Sequence, residues 1–135
     1  MRRIALVPFL RAVALASLTV VALASCGGKV SSRSNTQPAT NIPATFDMTL
    51  LADKDGQFDM DGATLTEEDV KGNLRYRVDQ GNPVKTILLK RAEKQKVSTR
   101  HLQGLGRIGM ELHIQAFVQE KPNQEIAEIR VDAAK

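Results

Sequence analysis

The chain of 135 residues holds a single cysteine, Cys26, and it stands at the end of the most apolar stretch. No intrachain disulfide can form, so whatever folds is held by its apolar core and its hydrogen bonds. The stretch follows Met1-Arg2-Arg3 and runs from Ile4 to Ala24, interrupted by Pro8 and Arg11. Its dense part, from Ala12 to Ala24, has only Ser17 and Thr19 as polar members. That is shorter than the about 20 apolar residues a membrane-spanning helix needs. A basic start, a short apolar region and small residues at its end fit a secretory signal peptide, which removes residues 1–25 from the fold.

Leu23-Ala24-Ser25-Cys26-Gly27 looks like a bacterial lipobox: an apolar residue, two small ones, then cysteine. The small residues let a peptidase bind the backbone in a narrow site. The resemblance implies cleavage between Ser25 and Cys26, a diacylglycerol thioether on Cys26 and acylation of the new amine. Several acyl chains anchor far better than one, each buried CH₂ adding about 0.8 kcal/mol. An ordinary signal peptide with a chance cysteine, or an uncleaved anchor, leaves the position of Cys26 unexplained. Gly27 in place of aspartate favours the outer over the inner membrane, and either way the periplasmic side.

The formal charge of +4 falls to +1 without Arg2, Arg3 and Arg11, leaving 16 basic against 15 acidic residues. A near-neutral mature chain gives no support for nucleic-acid binding, which leaves a basic footprint. Residues 27–135 suit one domain. Four Phe, one Tyr and no Trp predict a core of Leu, Ile and Val.

Residues 26–45 are expected to form a flexible tether. From Gly27 to Thr45 they are rich in Ser, Thr, Asn and Pro and too poor in large apolar residues to offset ordering entropy. The domain is expected over residues 46–135. Phe46, Met48 and Leu50 alternate with polar residues as in a strand. Asp55-Gly56 and Asp61-Gly62 supply the positive φ of tight turns, with Phe58 and Met60 on a short strand between them. Thr64–Asp69 reads as a helix start, with Thr66 as the cap and Asp69 three residues on; Val70, Leu74 and Val78 form its apolar stripe, and Gly81-Asn82-Pro83 ends it. Val84–Leu89 reads as a buried central strand, Arg91–Lys96 as a basic loop. Ser98 or Thr99 caps a second helix bearing Leu102, Leu105 and Leu112. Its Gly104, Gly106 and Gly109 weaken it by about 1 kcal/mol each, or let it pack closely. His113–Val118 is a further strand, and Ile126, Ile129 and Val131 suggest a last edge strand. The order β-β-α-β-α-β(-β) predicts an α+β two-layer domain with two helices on one face of a mostly antiparallel sheet.

Asp55-Gly56-Gln57-Phe58, Met60-Asp61-Gly62, Leu65-Thr66-Glu67-Glu68 and Val84-Lys85-Thr86-Ile87-Leu88-Leu89 resemble the periplasmic domain of the ExbD/TolR family. A basic turn and a helix ending Ile108-Gly109 before His113-Ile114 extend the likeness over residues 46–118. The family consists of inner-membrane proteins whose N-terminal helix carries an aspartate used in proton-driven energy transduction. Their periplasmic domains pair into dimers and contact partners or the cell wall. Here Ile4–Ser25 contains no Asp or Glu, and Lys90-Arg91-Ala92-Glu93-Lys94 replaces the usual acid at the end of the central strand. The resemblance therefore implies a fold and a binding role, without the motor.

Candidate chemistry is sparse. Asp59, Asp61 and Glu68 approach the spacing of a calcium loop around Gly62, but Gln57 stands at its first position and hairpin turns explain the same residues. His101 and His113, read as a surface and a strand histidine, lack the further ligands a metal site needs. No Ser-His-Asp set, Cys-His set or phosphate loop is present. No catalytic residue, metal or cofactor is therefore expected. Charge is segregated instead: Asp47–Asp69 holds eight acids and one base, Lys71–Arg107 ten bases and two acids. Such blocks are usually a solvated surface. They also suit pairing between copies, or an acidic partner such as cell-wall carboxylates or anionic lipid. Arg91, Lys94, Lys96 and Arg100 form the expected contact patch. The expected function is a lipid-anchored interaction module, its partner a Ton- or Tol-type complex, peptidoglycan or another copy. The rivals are a small enzyme or an inhibitor- or ligand-binding lipoprotein, marked by a deep pocket with convergent polar groups near Arg91 or His101.

Overall fold

Strong alternation sets the sheet. The computed structural model describes residues 35–131; the expected signal peptide over residues 1–25, Cys26 and residues 27–34 lie outside them. Strands β2 (Met48–Ala52), β5 (Thr86–Lys90) and β6 (Gln115–Gln119) run parallel, with β5 in the middle. Hairpin strands β3 (Phe58–Met60) and β4 (Ala63–Leu65) extend the sheet beyond β2. On the other side β7 (Ala127–Ile129) joins β6 and β1 (Thr36–Pro38) joins β7. The order is β1-β7-β6-β5-β2-β3-β4. Four of the six pairings are antiparallel, and the two parallel ones form the centre.

Two crossovers, each containing a helix, carry the chain from β2 to β5 and from β5 to β6. Both step in one direction along the sheet, so the usual right-handed connection puts α1 (Glu67–Asp79) and α2 (Thr99–Leu112) on one face. The protein is an α+β two-layer fold. Its core joins Leu50, Ile87, Leu89, Ala116 and Val118 of the sheet to Val70 and Leu74 of α1 and Leu102, Leu105 and Ile108 of α2. Leu88 and Phe117, adjacent across β5 and β6, are buried on the opposite face. There Phe46 meets Phe117 edge-on, ring centroids 5.4 Å apart.

Local chemistry explains the boundaries. Asp61 and Gly62 both have positive φ and connect β3 to β4 in two residues, the primed turn that matches strand twist. Thr66 and Asp69 form a capping box at the start of α1. At its end Gly81, in the left-handed region, donates to Val78 O while Asn82 donates to Arg77 O, a Schellman motif. Asp47 ties the start of β2 to β5: its Oδ2 accepts from Lys85 and Thr86 N–H at 2.9 and 3.1 Å.

The structure departs from expectation in five places. Thr36–Pro38, within the expected tether, is an edge strand bonded to β7, because β7 otherwise leaves an open row of donors and acceptors. The strand Ala127–Ile129 is therefore not the edge. Thr64 and Leu65 belong to β4 and not to the helix start. The strand expected from His113 begins at Gln115, two residues late, because His113 adopts a left-handed conformation that closes α2. Finally, Val78 is 59% exposed. Successive steps of four drift 40° round a helix, so Val78 lies about 80° from Val70.

Candidate functional site

Because β2, β5 and β6 are parallel, their carboxyl ends share one pole. A 3-10 turn (Lys54–Gly56) follows β2 there, and the loop of residues 91–98 leads from β5 into α2. The loop carries Arg91, Lys94 and Lys96; Arg100 follows in the first turn of α2. The structure thus brings the expected contact residues to one end of the domain. None of these four side chains is ion-paired to another described residue. The first turn of α2 holds no acid, so its dipole adds positive potential at the same pole.

A second set of charges is paired within the domain. Arg107 of α2 grips Glu67 of α1 through Nε and Nη2 at 3.0 and 2.7 Å. Lys71, 8% exposed, meets Glu111 at 2.8 Å and Glu68 at 3.0 Å. Arg75 closes the cluster on Glu111 at 2.7 Å. The Arg107 hydrogen bond holds the Glu67 carboxyl below its ordinary range, and Lys71 does the same for Glu111. Glu67 of the acidic block and Arg107 of the basic one are therefore joined across the α1–α2 seam, while Arg91, Lys94, Lys96 and Arg100 keep no ion pair among the described residues.

A cleft of about 510 Å³ opens beside Arg100, between the 3-10 turn, the start of α1 and the outer face of α2. Two glycines let its neighbouring elements approach closely. Gly56 has positive φ, and a Cβ there would lie 2.9 Å from Arg100 Cβ. Gly104 lies beneath Glu67, whose Oε2 would sit 3.3 Å from any Cβ. The turn is pinned from below by His101. This histidine is fully buried; its Nε2 donates to Asp53 O at 2.7 Å, and its Nδ1 accepts from Ser98 N–H at 3.0 Å. Both ring nitrogens are committed, so His101 is a structural strut and the expectation of a surface histidine is overturned. The role of the β2–α2 contact was not visible in the sequence, since the two elements are about fifty residues apart.

The calcium-spaced residues go elsewhere. Asp59 Oδ1 accepts from Gly62 N–H at 3.0 Å within the β3–β4 turn, while Glu68 pairs with Lys71. Among the described residues no three His, Asp or Glu side chains converge as metal ligands, and no helix is long and apolar enough to cross a membrane. Comparison with protein-family models, with curated proteins and with solved structures found no match.

Proposed function

We propose that this chain is a lipid-anchored interaction module on the periplasmic side of the cell envelope, ExbD/TolR-like in its domain, without catalysis or proton coupling of its own. The outer membrane is the favoured anchor through Cys26. The observation that carries the reading is the polarity of the domain. β1 runs antiparallel to β7, and β7 to β6, so β1 is parallel to the central strands. The chain accordingly enters at the pole opposite Arg91, Lys94, Lys96 and Arg100.

That entry point lies close to the proposed lipid. Nine residue steps separate Cys26 from Asn35, a span of at most about 32 Å. The domain is moored by one end and offers its unpaired cations at the other. This suits an acidic partner in the aqueous periplasm, such as an envelope protein complex, peptidoglycan or another copy, better than the anchoring lipid itself. The cleft is open and polar, where a deep pocket was the mark of the enzyme reading.

Metabolic labelling with palmitate and co-purification from membranes test the proposal together. Label is expected in the wild-type chain and absent after Cys26→Ala. Envelope components are expected to co-purify at low salt and to be lost when Arg91, Lys94 and Lys96 are changed to serine. Label persisting in Cys26→Ala would overturn the anchor; co-purification indifferent to the triple substitution would overturn the contact pole.

A further inference from the structure

We infer that the cleft between the 3-10 turn and α2 is a binding site for a small zwitterion of the amino-acid or short-peptide class, with Arg100 taking its carboxylate and Asp55 its ammonium. This goes beyond the interaction role and shares only Arg100 with the contact pole. Among the polar side chains lining the cleft, Arg107 is already engaged by the two bonds it donates to the Glu67 carboxylate. Asp55, Gln57, Arg100 and Gln103 line the same space and have no side-chain hydrogen bond or ion pair to any described residue.

The signs of the unspent groups select the ligand. A simple anion would satisfy Arg100 and face the Asp55 carboxylate; a simple cation would do the reverse. A molecule with one charge of each sign meets both, and the amides of Gln57 and Gln103 offer a donor and an acceptor to a peptide group. The frame is held by bonds within the chain, and a preformed site lowers the ordering cost of association. His101 fixes the turn through Asp53 O, Asp53 N–H donates to Gln57 O at 2.9 Å, and Gly56 seats on Arg100. The volume of about 510 Å³ accommodates a dipeptide and is in the range of small-ligand sites.

Titration calorimetry of the full chain in detergent with alanylalanine, its N-acetyl form and its C-terminal amide tests the site. The free dipeptide is expected to bind saturably, and each capped form about tenfold more weakly, the loss of one charge-assisted bond. Arg100→Gln is expected to abolish the preference for a free carboxylate, and Asp55→Asn the preference for a free ammonium, each leaving the other intact. Both positions are exposed, so thermal midpoints should be unchanged. Absence of saturable binding, equal binding of all three ligands, or wild-type discrimination in both variants would overturn the site. None of these outcomes bears on palmitate labelling or on co-purification through Arg91, Lys94 and Lys96.

Discussion

His101 Nε2 donates to the main-chain oxygen of Asp53 across 2.7 Å, joining the first turn of α2 to the turn after β2. Phe58 lies edge-on to the same imidazole, ring centroids 5.7 Å apart. Replacing His101 with alanine would orphan a buried carbonyl and open a cavity beneath the cleft. A loss of about 2–4 kcal/mol is expected in urea unfolding of the variant. A loss below the uncertainty of such a titration would show that the strut carries no stability.

Three glycine substitutions separate close packing from helix propensity. Gly72 lies on the exposed side of α1 with open space around it, so Gly72→Ala should stabilise by about 0.5–1 kcal/mol. Gly109 faces the Ile114 carbonyl oxygen, which would sit 2.7 Å from an added Cβ, and Gly106 would collide with Val131. Alanine at either position gains the same propensity but should destabilise by about 1–3 kcal/mol net through overpacking. Denaturation midpoints moving in opposite directions for Gly72 and Gly109 are the expected reading.

Acid should weaken the fold from a definite side. Asp47 is held below its ordinary value of 3.8 by the Lys85 N–H, Asp53 by the Thr64 hydroxyl and Asp69 by the Thr66 hydroxyl. Glu67 is held below 4.5 by Arg107 and Glu111 by Lys71. A carboxyl with a depressed folded value stabilises fully above its unfolded value and loses that contribution as pH falls through the folded one. Stability should therefore be flat near neutrality and decline on acidification below the ordinary carboxylate range. Asp47→Asn should make that decline shallower, measured as the urea midpoint against pH.

The basic pole should be separable from the fold. Arg91, Lys94 and Lys96 make no ion pair with described residues, so each single exchange for serine should cost within about 0.5 kcal/mol, a shift in thermal midpoint of no more than about 4 °C. Partner association should weaken, with a reduced salt dependence. A large drop in thermal midpoint would instead place these residues in the structural framework.

What could be read in the residues were the features set by neighbours in sequence. Asp-Gly pairs favour the positive φ of tight turns, Thr66 and Asp69 meet because a capping box spans three residues, and alternation marks Met48–Ala52 as a strand. The arrangement of the basic residues into a loop followed Lys90 for the same reason. The cleft was not legible, because its walls come from residues 55–57, 66–67 and 100–107, and no periodicity links them.

The order of the amino acids by itself determined the turns, the caps, the two helices, the buried central strand and the position of the lone thiol ahead of them, all short-range consequences of backbone geometry and hydrophobic spacing. Tertiary structure alone decided that Thr36–Pro38 would close the sheet, that Glu67 would neutralise Arg107 forty residues away, and that His101 would be an interior strut. Those outcomes depend on which donors, acceptors and charges remain unpaired once the sheet and helices are packed. That remainder is a property of the assembled layers and of no local segment.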